Sequence, residues 1–177
     1  MKKEFPLEDT WLSFELHPET PPQGRLLAEL FPGRDMSASQ EYLRRAAATY
    51  DLPFAPAERL ANTQLAIEAS EFARDQDRHD AYSRRLFTAY FAEGQDIGDL
   101  DVLVRLAVEA GVDVVGLREA LTTGAYGPRR EAAAAEARRL AVTGVPAFFL
   151  PHMMISGAQP LEVFRRALAG VEPATRG

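Results

Sequence analysis

Side chains able to do covalent chemistry are scarce in this chain. It contains no cysteine, which excludes disulfides, thiolate metal sites and any thiol nucleophile in this polypeptide. His17, His79 and His152 are widely separated, with no carboxylate or second histidine at ligand spacing, so each is expected at a surface or a turn and no metal is expected. There is no phosphate-binding glycine loop and no nucleophile elbow, and no cofactor is expected. Among the serines, Ser13 falls in an expected strand and Ser37, Ser39, Ser70 and Ser83 in a helical block. Ser156 closes a strand with no base in its sequence context. What remains is a conformational signal, Thr143-Gly144-Val145-Pro146 leading into Ala147-Phe148-Phe149-Leu150.

The elements around that signal follow from its prolines. Proline cannot donate to a ladder, so Pro146 belongs at the first residue or the edge of a strand, here Ala147 to Leu150. Pro151-His152 turns the chain into a second strand, Met153 to Ser156, although the turn lacks the Asn-Gly or Asp-Gly chemistry of tight hairpins. Gly157 breaks that strand, and Pro160 suits the first residue of a helix, where a missing N–H costs nothing. Leu161, Phe164, Leu168 and Val171 share one helical face, with Gly170 as a stop.

Upstream, Leu12, Phe14 and Leu16 alternate as a strand would, and the prolines of 17–24 impose an extended loop. A short helix is expected over 25–30, then one from Ser37, where Ser37 and Gln40 form a capping box. Asn62 caps the next helix, and Tyr82, Leu86, Phe87, Tyr90 and Phe91 form a core stripe on the one after Asp80, which stops at Gly94. Asp99 to Ala110 with Gly111 behind it, Asp113 to Thr123, and Arg129 to Ala141 complete the helical block. Roughly 100 residues of helix between strands exceed an ordinary crossover and imply a subdomain inserted into a small sheet.

Composition narrows the partners. At 177 residues, 46% hydrophobic and 26% charged, the chain suits one globular domain with a large insertion. A formal net charge of −6 speaks against nucleic acid and anionic membranes as partners. No run approaches the ~18 apolar residues of a membrane span. Met1-Lys2-Lys3-Glu4-Phe5-Pro6 has no apolar core behind it, so a cytoplasmic location is expected.

Gly144-Val145-Pro146, hairpin and helix together resemble the C-terminal half of a thioredoxin fold. Phe14-Glu15-Leu16-His17-Pro18-Glu19, Asn62-Thr63, Leu86 to Gly94, Asp96-Ile97-Gly98-Asp99, Val142 to Pro146 and Ile155 to Pro160 are similar, in the same order, to the FrnE-like subfamily of the DsbA-like branch. The resemblance implies an α/β fold: a thioredoxin-like domain with a large inserted helical subdomain, missing the first strand and most of the first helix. Residues 1–24 and 142–173 would form the incomplete thioredoxin-like domain and 25–141 the inserted helical subdomain, with residues 1–5 as the tail of the lost helix. The resemblance also implies a cis bond before Pro146, thiol–disulfide exchange or isomerisation as the family activity, and a substrate-side groove at Thr143, Gly144, Val145 and Pro146. The family's Cys-x-x-Cys would lie in an absent front segment on the order of 30 residues long by typical element lengths.

Several functional readings stay open at this point. One is a truncated oxidoreductase, redox-inactive in this form. Another is a non-catalytic module holding an extended peptide or a small thiol or apolar ligand. A relationship to the 2-hydroxychromene-2-carboxylate isomerases and kappa glutathione transferases is weakened by Ala158-Gln159-Pro160, where those proteins carry an Asp-Arg pair. The absent strand would leave a gap between the strand at 10–16 and that at 147–150. Either the first slides over to pair, or a homodimer forms through the exposed sheet edge.

Overall fold

Several helices in this chain start where a short polar side chain replaces a missing backbone partner, Asp99 and Asp113 among them. The computed structural model describes residues 4–169 and residue 171, and its contacts divide the chain into two units, Met1–Leu16 with Ala133–Gly177, and His17–Ala132. These boundaries fall at 16/17 and 132/133, where the sequence suggests 24/25 and 141/142.

The unit His17–Ala132 is helical. It opens with a two-residue strand β1 (Arg25–Leu26), which pairs antiparallel with β2 (Arg59–Leu60), and a single turn α1 (Leu27–Leu30). Helix α2 (Ser37–Ala48) does not use the expected capping box: Ser37 is already helical, and its amide donates to Asp35 Oδ1 at 2.8 Å. Helix α3 (Gln64–Arg74) does use Asn62, whose Oδ1 accepts from the Gln64 amide at 3.0 Å. Helix α4 (His79–Phe91) follows. Helix α5 (Leu100–Ala110) starts on Asp99, which accepts from the Asp101 and Val102 amides at 2.8 and 3.0 Å, and ends on left-handed Gly111. Helix α6 (Val114–Thr123) starts on Asp113 in the same way. Helix α7 (Gly127–Arg139) begins in this unit and continues into the other.

Helices α3 to α6 enclose the core, with Ala69, Ala73, Tyr82, Ala89, Leu103, Leu106, Ala107 and Leu117 fully buried. On α4 the buried stripe is Tyr82, Leu86 and Ala89, at the i, i+4, i+7 spacing of one face. Phe87 and Phe91 are on its flank, 54% and 44% exposed and stacked on each other at 6.1 Å, so the expected aromatic core stripe is only partly core. The Tyr82 hydroxyl donates to the Leu103 carbonyl at 3.1 Å, and burial pushes its phenol well above the usual range.

The other unit holds β3 (Ala147–Leu150), β4 (Met153–Ser156) and α8 (Leu161–Ala169), where the sequence reading places them to within a residue. The strand expected at 10–16 is absent: 6–15 carry no strand pairing, and Leu12 and Leu16 are 65% and 44% exposed. An alternating pattern becomes a strand only where a neighbour supplies ladder bonds and a surface to bury against, and β3 does not meet this segment in a ladder. The expected sliding of that strand onto β3 therefore does not occur. The proposed stop at Gly170 and most of the proposed helix tail at 1–5 lie outside the described residues.

Candidate docking edge

The hairpin register determines which backbone groups around Pro146 are available. Ala147 faces Ser156, Phe148 faces Ile155, Phe149 faces Met154 and Leu150 faces Met153. One step outside, the Gly157 amide donates to the Pro146 carbonyl at 2.7 Å. Antiparallel ladders alternate hydrogen-bonded and open pairs. Pro146, Phe148 and Leu150 therefore turn their backbone groups toward β4, and Ala147 and Phe149 turn theirs to the other edge. Among the described residues, nothing pairs with the Val145 amide or carbonyl or with that edge of β3.

Thr143, Val145 and Pro146 are exposed and Gly144 is half-buried, and the Val145–Pro146 peptide bond is cis. One face of the hairpin sends Phe148 against Phe164 of α8, ring centroids 4.8 Å apart and edge to face. Ile155 and Leu168 are buried in the same unit. The opposite face carries Phe149 and Met154, 48% and 49% exposed. In the sequence only the run from 142 to 161 without Asp, Glu, Lys or Arg points to these two side chains. At its far side α8 is held by Arg165, which donates to Glu4 at 2.8 and 2.9 Å and to Glu162. The hydrogen bond to Glu4 holds the guanidinium proton more tightly, and Arg165 in turn lowers the Glu4 carboxyl.

No other arrangement in the described residues offers reactive chemistry. Among the described residues no base reaches the Ser156 hydroxyl, His152 sits exposed in the hairpin turn, and no group of three His, Cys, Asp or Glu could hold a metal ion. His79 contacts Arg74 at 2.8 Å, and His17 contacts Glu19 at 3.2 Å. Two shallow depressions lie in the helical unit, one of about 430 Å³ along Val104, Val115 and Thr122 and one of about 570 Å³ along Pro21, Arg25 and Arg59. Neither reaches 143–146. No described helix is long and apolar enough to cross a membrane.

A proline-led strand, a tight hairpin and a closing helix, with a helical unit inserted before them, define a thioredoxin-type protein of the helix-inserted kind. The chain belongs to the DSBA-like thioredoxin domain family, whose model matches residues 7–169. It is 32% identical over 171 residues to the uncharacterized protein YwbO of Bacillus subtilis (strain 168), covering 92% of this chain and 82% of that protein. A probable DsbA oxidoreductase of Streptomyces coelicolor, solved by crystallography, superposes with a TM-score of 0.83 at 30% identity, over 93% of this chain and 77% of its own. A candidate protein disulfide isomerase of Nitrosomonas europaea shares the fold alone, with a TM-score of 0.63 at 17% identity over 78% and 75% of the two chains.

Proposed function

We propose that this chain is a FrnE-like, cytoplasmic member of the DsbA-like family that binds an extended apolar peptide without exchanging disulfides itself. The peptide lies along Thr143, Gly144, Val145 and Pro146 and pairs with the Val145 main chain. The observation that carries this reading is the unpaired Val145 amide and carbonyl, on a residue 54% exposed, at the head of an uncharged strand. Thiolate is the nucleophile in disulfide exchange, and the polypeptide has no cysteine to supply one.

Two measurements test the proposal. Insulin disulfide reduction by the purified chain stays at the buffer rate. A fluorescently labelled, reduced peptide rich in Val and Phe binds in anisotropy titrations, and Val145→Asp weakens it by about tenfold, ~1.4 kcal/mol, with an unchanged far-UV spectrum. Catalysed insulin reduction, or equal binding by wild type and V145D, overturns the reading.

A further inference from the structure

We infer that Met153 and Met154 form a site oxidised by hydrogen peroxide, and that sulfoxide at Met154 weakens binding at the docking edge. The modification rests on the hairpin alone, and its consequence rests on the preceding reading of this edge as a peptide site. With no cysteine in the chain, methionine thioethers are its only sulfur, so no thiolate competes within the polypeptide for an oxidant. Of the methionines among the described residues, Met153 and Met154 are 50% and 49% exposed, whereas Met36, at the start of α2, is half-buried. Alternation along β4 gives the pair different surroundings. Met154 faces Phe149 in an open pair, where side chains stand closest, on the face opposite the one that packs on Phe164. Met153 faces Leu150 beside the turn, on the same face as Phe148 and Ile155.

The reaction is a two-electron oxygen transfer. The thioether sulfur gives an electron pair to one peroxide oxygen, the S–O bond forms as the O–O bond breaks, and the proton left on the transferred oxygen passes to the departing hydroxide. Methionine is oxidised to the sulfoxide and peroxide is reduced to water, and a methionine sulfoxide reductase reverses the change. A thioether beside a ring is a favourable, adaptable apolar combination. At Met154 the sulfoxide sets a polar S–O group beside Phe149, and an apolar ligand residue seated there must desolvate it. At Met153 the same product lies on the other face of the hairpin and leaves docking unchanged.

Graded treatment of the full chain with hydrogen peroxide, read by tandem mass spectrometry of its proteolytic fragments, tests the site: Met153 and Met154 each gain one oxygen before Met36 does. Anisotropy titration with the labelled Val- and Phe-rich peptide, after catalase has removed the peroxide, tests the consequence. Oxidised wild type binds about fivefold more weakly, ~1 kcal/mol, with an unchanged far-UV spectrum, and methionine sulfoxide reductase restores the affinity. Met154→Leu, which keeps the volume and removes the sulfur, holds its affinity through the same treatment, whereas Met153→Leu loses as much as wild type. If M154L does not fold, Met154→Ile takes its place with the same expectation. Met36 oxidised as fast as the pair, an oxidised wild type that binds as before, or an equal loss in M154L overturns the inference. The two ideas fail separately. Peptide binding without preferential oxidation of the pair sinks only the modification site. An untreated wild type that binds no peptide sinks the docking reading, and the order of oxidation then decides the modification site by itself.

Discussion

Replacing Asn62 separates two jobs that one buried side chain performs. Its Oδ1 accepts from the Gln64 amide at 3.0 Å and its Nδ2 donates to the Thr20 carbonyl at 2.6 Å, with Asn62 8% and Thr20 4% exposed. Asn62→Ala loses the cap, about 1 kcal/mol. It also leaves a buried carbonyl without its partner, about 1–3 kcal/mol, so the expected loss is about 2–4 kcal/mol. Asn62→Asp keeps the acceptor but sets a buried carboxylate oxygen against the Thr20 carbonyl, so it loses at least the second amount, about 1–3 kcal/mol. Thr63 stands next to α3 but makes no side-chain cap bond, so Thr63→Ala stays within about 0.5 kcal/mol of wild type. Urea unfolding followed by far-UV circular dichroism reads all three. An N62D protein as stable as wild type would refute the bond to Thr20, and a T63A loss equal to that of N62A would refute the assignment of the cap to Asn62.

Three further outcomes follow from the helical unit. Leu106→Ala, at a fully buried position, loses about 2–5 kcal/mol, whereas Val115→Ala, 74% exposed, changes stability by less than about 0.5 kcal/mol in the same urea series. Gly116→Ala lowers the melting temperature although alanine is the better helix former by about 1 kcal/mol, because its Cβ would lie 2.5 Å from Asp113 Oδ2 and 3.0 Å from Phe72 Cζ. That carboxylate is tied down as the α6 cap, so it cannot move aside without losing the cap, and a raised melting temperature would contradict this. Arg129, at 2.7 Å, and Tyr126, at 2.8 Å, hold the Asp75 carboxyl below its usual range. The stability this contributes is complete above the unfolded value of about 3.9 and is lost as pH falls through the lower folded value. Asp75→Asn should therefore flatten the acid limb of a stability–pH curve and leave its neutral limb parallel to wild type.

Much of this architecture is written in local chemistry. Asp99 and Gly111 bracket α5, Asp113 and Gly124 bracket α6, and both pairs are readable because caps act within a few residues of themselves. The hairpin is readable for the same reason, through Pro146, Pro151 and Gly157. Features that depend on distant partners are harder to see. The alternation of Leu12, Phe14 and Leu16 carries no information about whether a neighbouring strand is present, and here no ladder forms. Pairing of Arg25–Leu26 with Arg59–Leu60 joins segments more than thirty residues apart, and two residues are too few to show an alternation. Likewise Ser37 looks like a cap, yet Asp35 two residues earlier satisfies the amide first. At the docking edge the sequence singles out Val145 and Pro146, but the outward alternation of Ala147 and Phe149 needs the register with β4.

On the proposed reading, recognition along that edge needs no sulfur. Main-chain pairing draws on amides and carbonyls, which a chain without a thiol still offers. Backbone bonds alone are insufficient: each contributes about 0.5–1.5 kcal/mol net, while association costs at least ~4 kcal/mol in lost freedom. Three or four such bonds roughly cancel that cost, and side chains decide the balance. Residues opposite Val145 and Phe149 meet a β-branched group and a ring, where β-branched or aromatic partners add about 0.2–1 kcal/mol each. The half-exposed Met154 beside Phe149 adds an adaptable apolar contact. On the proposed reading, ligands of this edge would be selected by apolar character at alternate positions, and an acidic or basic residue at those positions would be excluded by desolvation rather than by repulsion.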